Sequence, residues 1–363
     1  MAILFLTCAF GGFFLSVSLF SGFFSGLEVI LGIVGIFVVF YISIIAHEAG
    51  HLLFGLMSGY GFSSFRIGSF MWIKQESKIK FRRLSIAGTG GQCLMIPPEM
   101  KNGKIPVILY NLGGVIANLI LTVIFVLGYF ACINKMLLVA LVFLLGGIIS
   151  FILALTNGLP LNIGGISNDG MNAIHLSKNR EAAIAFQSQL LMNAEQSKGV
   201  RISDMPDEWF TLPEGADKKN VHCASIAVFA ASRALDKQDT LLAEQQITEL
   251  LNSDYAIIGL HKNLLKCDLV YARLLNYGRS AELSSLLGIE QLKFMKSMKT
   301  YPSVLRTEYA ISLLRDGDEA KAKQLRANFE KAAKKYPYPG DIASERALLA
   351  LADKKYKNEK AEI

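Results

Sequence analysis

Two histidines four positions apart, His47 and His51, bracket Glu48 in a run that holds no other charged residue from Val29 to Met57. On a helix, positions i and i+4 share one face, so both imidazoles could grip one metal ion with Glu48 beside it, near a bound water. Zinc takes imidazole nitrogen and carboxylate oxygen at about 2.0–2.2 Å, and a catalytic site keeps one position open for water. Metal would polarise a carbonyl and acidify that water, while Glu48 would take the water's proton and pass it to a leaving amine. Five-residue patterns also recur by chance, and the competing reading is a pair of core histidines bonded to neighbours. The apolar setting favours chemistry. A charge at the centre of a membrane span costs about 2.5–3.5 kcal/mol on insertion scales, so ionisable residues there are rare and usually functional.

Such a centre needs a third protein ligand. Asp169 is the only carboxylate between Glu99 and Glu181, and it closes the broken stretch Asn157-Gly158-Leu159-Pro160 to Ser167-Asn168-Asp169-Gly170. Proline and glycines there favour irregular backbone, tolerated at membrane depth only where protein or a water-filled cavity surrounds it. A helix resuming at Gly170 and first reaching charge at Lys178 puts Asp169 about 13 Å inside. The competing reading is a surface helix N-cap at Asp169. His175 is a spare donor that reads as a helix-face histidine, and His222 and His261 fall in a soluble region with no need of metal.

Elements able to position these groups are legible as apolar runs. Four stretches, about 3–25, 29–57, 105–132 and 136–158, are long enough for a ~30 Å hydrocarbon core. Eight Lys/Arg (Arg66, Lys74, Lys78, Lys80, Arg82, Arg83, Lys101 and Lys104) lie between the second and third, whereas the other two connections hold only Glu28 and Lys135. The positive-inside rule then assigns the 58–104 loop, both termini and the C-terminal region to the cytoplasm. With α-helical rise, His47 sits about 15 Å and His51 about 9 Å from the end of the second stretch at Met57. Residues 63–87 alternate at Phe65, Ile67, Met71 and Ile73, turn at Gln75-Glu76-Ser77-Lys78, and resume at Ile79 and Phe81, which reads as a β-hairpin.

Composition divides the chain. Residues 1–170 carry nine Lys/Arg and five Asp/Glu, against twenty-eight and twenty-five in 171–363. The net charge of +7 is spread too thinly for nucleic-acid binding and suits a face near anionic lipid. Five scattered cysteines without CxxC spacing argue against a disulfide framework or a thiolate zinc site. No basic region precedes the apolar N-terminus, so a cleaved signal peptide is not expected. In the second half, turns at Lys237-Gln238, Tyr277-Gly278 and Asp316-Gly317 punctuate amphipathic helices. The unit from Tyr309 to Pro337 resembles a tetratricopeptide helix pair, which points to an irregular helical-repeat array.

With His47-Glu48-Ala49-Gly50-His51 in one membrane helix and Asn157-x-x-Pro160 to Asp169-Gly170 after a later one, residues 29–175 resemble the site-2 protease family of intramembrane zinc metalloproteases. Gly114-Val115-Ile116-Ala117-Asn118 is similar to that family's Gly-x-x-x-Asn element. The resemblance implies zinc held by His47, His51 and Asp169, Glu48 as general base, and Asn118 and Asn157 in substrate binding. Read from the residues alone, either asparagine serves interhelical bonding equally well. The twelve-residue spacing from Asn157 to Asp169 exceeds the compact form of the motif, and Asn168 stands where leucine is common. The family also implies that a strand edge, residues 64–74, captures the unwound substrate by main-chain hydrogen bonds.

The expectation is therefore a mainly α protein. Residues 1–176 form a polytopic membrane metalloprotease domain with a re-entrant β-hairpin, and 177–363 a cytoplasmic, tetratricopeptide-like helical domain for a regulator or self-association. Its partners are the bilayer and a transmembrane or signal-peptide-like substrate. The alternative is a non-catalytic membrane scaffold recruiting partners through its repeat, disfavoured because a structural zinc site needs no general base. Metal transport is weaker still, for want of ligands on the other spans.

Overall fold

In a computed structural model the chain is described from residue 24 to 361, apart from 86–88, 102, 164 and 213. All but the last two residues of the apolar stretch expected at 3–25 lie outside these. Helix α1, Gly26–Met57, opens on a capping box: Ser25 Oγ accepts the Glu28 N–H, and the Glu28 carboxylate accepts the Ser25 N–H at 2.7 Å. Helices α2, Val107–Cys132, and α3, Leu137–Gly158, complete a bundle whose shared core is Ile36, Val39, Phe40, Phe125 and Ile149. All three helices are long and apolar enough to cross a membrane, and their outward faces expose Leu, Ile, Val and Phe.

The bundle's backbones meet directly. A Cβ built on Gly50 would lie 2.2 Å from the Gly113 carbonyl oxygen, and one on Gly113 would lie 2.5 Å from that of Gly50. Glycine at both positions is what lets α1 and α2 touch without a side chain between them.

Between α1 and α2 stands a four-stranded antiparallel sheet in the order β3-β2-β1-β4, comprising β1 Gly61–Ile67, β2 Phe70–Gln75, β3 Lys78–Arg83 and β4 Gly91–Ile96. The turn expected after Gln75 is present, with Glu76 at φ 56°. A second turn at Gly68 (φ 57°) and Ser69 divides the alternating run, so two hairpins and an added fourth strand replace the single hairpin. The two-residue turn also shifts parity. Phe65 pairs with Trp72 and Arg66 with Met71, so Met71 and Ile73 share a face with Ser64 and Arg66 rather than with Phe65 and Ile67. Residues 64–74, expected as a free edge, lie inside the sheet: β1 is flanked by β2 and β4, and β2 by β1 and β3. Among the described residues, the outer strands are β3 and β4.

Beyond α3 a small ribbon (β5 Asn162–Ile163, β6 Ile166–Ser167) leads into α4, Asp169–Lys178, and α5, Arg180–Lys198. Helices α6 Val221–Asp236, α7 Thr240–Asn252, α8 Gly259–Tyr277, α9 Ile289–Ser297, α10 Pro302–Ala310, α11 Glu319–Ala333 and α12 Pro339–Ala361 follow. The turns read at 237–238, 277–278 and 316–317 fall at helix ends, where Gln238, Gly278 and Gly317 take positive φ. Leu235, Ile247, Leu269, Tyr271, Leu313 and Phe329 form the continuous core of this region.

The sheet is clamped between bundle and helical region. Met71 and Ile73 are fully buried against Tyr336 and Tyr338, Gln75 Nε2 donates to the Pro337 carbonyl at 2.8 Å, and Ser197 Oγ donates to the Lys74 carbonyl at 3.2 Å. The C-terminal ends of α1 and α3 and the start of α2 therefore open on the side that carries the sheet and the helical region.

Gly50→Ala is expected to lower stability by about 1–3 kcal/mol through overpacking at the α1–α2 contact. Gly26→Ala, where a Cβ meets nothing within 4 Å, leaves it unchanged. Thermal unfolding of the two variants in detergent micelles checks this.

Candidate metal centre

The α1–α2 contact places a functional group on each side of it. One helical turn before Gly113, the Tyr110 carbonyl oxygen lies 2.8 Å from His51 Nδ1, which donates to it. That bond fixes the imidazole as the Nδ1–H tautomer and leaves the Nε2 lone pair free. One turn after Gly114, the Asn118 carboxamide lies 3.3 Å from His47 Nδ1. Asn118 is fully buried and its Oδ1 has no hydrogen-bond partner. Turned so that Oδ1 accepts the His47 Nδ1–H, the amide prepares His47 as its neighbour is prepared, with Nε2 free. The Asn118 backbone carbonyl accepts from Thr122 Oγ1 and Ser150 Oγ, which ties α3 to the same point.

Asp169 arrives from the far end of α3. Asn168, not Asp169, caps α4: its Oδ1 accepts the N–H groups of Met171 and Leu161, and its Nδ2 donates to the carbonyls of Thr156 and Leu159. This one side chain closes the loop that the long Asn157–Asp169 spacing creates, with β5 and β6 looped out. Gly170 then packs so closely on the end of α3 that a Cβ there would lie 2.1 Å from the Gly158 carbonyl oxygen. Asp169 is left as the first residue of α4, its carboxylate directed at the histidines.

Three acceptor atoms converge there. His47 Nε2 and His51 Nε2 are 3.2 Å apart, and Asp169 Oδ2 lies 3.1 Å from the first and 3.4 Å from the second. Oδ2 is buried and makes no hydrogen bond. Neutral imidazoles presenting lone pairs to a carboxylate oxygen repel one another unless a positive charge sits among them, and this group could hold a metal ion. Gly114 keeps the space open: a Cβ there would stand 2.6–2.7 Å from His47 Cε1 and Nδ1 and from His51 Nε2.

Glu48 follows His47 in α1 and is buried beneath β4, where a Cβ on Gly91 would lie 2.4 Å from its Oε1. Arg66, wholly buried in β1, holds that strand end in place, donating to Gly91 O at 3.2 Å, Thr89 Oγ1 at 2.6 Å and Gly68 O at 2.6 Å. Tyr110 reaches the same strand through its hydroxyl, which donates to Cys93 O at 2.8 Å. Asn157 stands differently, half-buried with its Nδ2 given to Leu153 O at 2.8 Å in its own helix. His175 is exposed on α4. His222 is half-buried with Nε2 3.2 Å from Asn172 Oδ1, and desolvation followed by the nearby His175 pushes its pKa down to about 4.

Tyr110, Gly91 and Arg66 are the contributors that the sequence does not single out. The Tyr110 carbonyl that meets His51 is backbone that every residue possesses, Gly91 contributes by lacking a side chain, and Arg66 reads as one of eight loop cations. Asn118→Ala, which removes the partner of His47 Nδ1, is expected to weaken metal affinity about 10–100-fold. Chelator competition with the purified protein measures this, with Asp169→Ala as the variant that loses the metal.

Set beside known proteins, the chain finds no matching family model, no matching curated protein and no matching solved structure.

Proposed function

We propose that this protein is an intramembrane zinc metalloprotease of the site-2 protease kind, hydrolysing a peptide bond in a transmembrane or signal-peptide-like segment. The observation that carries the reading is the triangle of His47 Nε2, His51 Nε2 and Asp169 Oδ2 with sides of 3.1–3.4 Å inside a lipid-suited bundle. Bonds of about 2.0–2.1 Å in a tetrahedral zinc site correspond to ligand–ligand separations of about 3.3–3.4 Å, so three protein ligands at these distances leave one position for water or substrate. Zinc held there would supply Lewis acidity toward the scissile carbonyl and acidify a water.

The remaining chemistry belongs to the chain's own residues. Glu48 takes a proton from the water as its oxygen bonds to the carbonyl carbon, then returns it to the amide nitrogen as the C–N bond breaks. Asn118 and the Tyr110 carbonyl keep both imidazoles in the required tautomer. Strand β4 has no further strand on its outer side among the described residues and begins over Glu48 at Gly91. An extended substrate segment pairing there by main-chain bonds would lie across the carboxylate, which accounts for glycine at that position. With the positive-inside orientation, the 58–104 loop and the helical domain are cytoplasmic, and cleavage falls near the cytoplasmic end of the substrate's span.

Purified protein in detergent, given a single-span substrate, tests this directly. Glu48→Gln is expected to reduce cleavage about 10²-fold or more while metal content stays at the wild-type level. Gly91→Val loses cleavage as well, because its side chain collides with Glu48. Unaltered cleavage by Glu48→Gln would sink the protease reading and leave a scaffold with a metal site.

A further inference from the structure

A second site with a chemical demand of its own lies in the helical region. A cavity of about 190 Å³ opens among α6, α8, α10 and α12, the first helices of the successive pairs. An engineered cavity of ~150 Å³ suffices to hold benzene, so this one has room for a single side chain or small metabolite.

Its wall is charged and incompletely matched. Asp236, Asp268, Asp341 and Glu345 line it, with Arg306 as the only Lys or Arg among the lining residues. Arg306 is 1 % exposed, lies with its guanidinium carbon 4.4 Å from the Tyr271 ring centroid, and donates to both Asp268 and Glu345, at 2.9 Å to the latter. Arg201 occupies Asp236 at 2.8 Å. Asp341 accepts only from neutral groups, Gln196 and Tyr336. One guanidinium thus serves two carboxylates while a third has no cation. Burial and the nearby Glu345 push the Asp341 carboxyl up to about 7; burial first, then Asp268 against the pull of Arg306, brings Glu345 to about 7 as well.

Two buried polar atoms on the same wall have no partner. They are Arg306 Nη1 and Ser344 Oγ, the latter on a residue only 8 % exposed. Leaving a buried donor unpaired is destabilising, and more so when it is charged. The wall therefore asks for a positive group opposite Asp341 and Glu345 and for an acceptor oxygen within reach of Arg306 and Ser344. Phe229, Leu264, Leu265 and Leu348 supply apolar surface between.

We propose that this cavity binds a lysine-type ligand: an ammonium on an alkyl stem with a carbonyl or carboxylate oxygen beside it, either free or as a residue in a peptide. The ammonium pairs with Asp341 and Glu345, the stem lies on the leucines, and the oxygen accepts from Arg306 Nη1 and Ser344 Oγ. This site stands independently of the metal centre. Its nearest link to the rest of the fold is Tyr336-Pro337-Tyr338, where the cavity wall runs into the segment that docks on β2.

Calorimetric titration of the full-length protein in detergent with L-lysine, acetyl-Gly-Lys-Gly-amide, norleucine and glutamate tests it. Lysine or the lysine peptide is expected to bind and norleucine and glutamate are not; free lysine alone marks an amino-acid site, and the peptide alone marks a segment-binding site. Asp341→Asn is expected to weaken binding about tenfold or more, and Ser344→Leu, which fills the cavity, to abolish it. Metal content and helical circular dichroism report that both variants remain folded. Absence of binding by both lysine probes at millimolar concentration overturns the proposal. So does norleucine binding as tightly as lysine, or full binding by a folded Ser344→Leu variant.

Discussion

Everything at the candidate centre depends on two helix backbones touching at Gly50 and Gly113. In lipid there is no hydrophobic force to press helices together, so close approach must come from small residues and the contacts they allow. Once α1 and α2 meet there, Tyr110 and Asn118 fall one turn to either side of the Gly113–Gly114 pair, each beside one imidazole. A wider crossing would leave both histidines without these partners. The same two glycines thus bring the bundle together and set the partners of its two imidazoles.

Asp169 depends on a different solution. Its distance along the chain from Asn157 would suggest a wandering loop, but Asn168 binds both ends of that loop with its own side chain. The carboxylate is therefore placed independently of the intervening ribbon, at the start of a helix packed directly on α3. Rigidity at the centre comes from these local ties rather than from the length of the connection.

The sheet converts the centre into a site with a roof. Arg66 and the Tyr110 hydroxyl hold β4 over Glu48, and Met71 and Ile73 on β2 are buried by Tyr336 and Tyr338 at the far end of the chain. A buried guanidinium is costly unless its donors are used, and here Nη1 of Arg66 is spent on the Gly68 carbonyl and Nη2 on Thr89 Oγ1 and the Gly91 carbonyl. Helical region, sheet and bundle are in this way a single mechanical series, with the cavity around Arg306 at one end and the three converging acceptor atoms at the other.

How much of this was legible differs from element to element. Three of the four apolar stretches, the His47–His51 pair, the lone carboxylate Asp169 and the three turns at 237–238, 277–278 and 316–317 are local patterns: hydropathy, i/i+4 spacing and glycine or Gln-terminated helices. The division of 63–75 into two strands was not, because a two-residue turn at Gly68-Ser69 reverses side-chain parity and mimics one continuous alternation. Nor was the inward position of residues 64–74, since pairing of β1 with β4 joins segments separated by a turn, a hairpin and a loop. What the sequence by itself determined was which residues are apolar enough for lipid and which few could carry charge among them. Only the tertiary structure decided that Asn168 rather than Asp169 caps its helix, that Asn118 serves His47, and that a glycine in β4 lies on Glu48. Those outcomes rest on backbone atoms and close approaches between distant segments, for which residue identity carries no local signal.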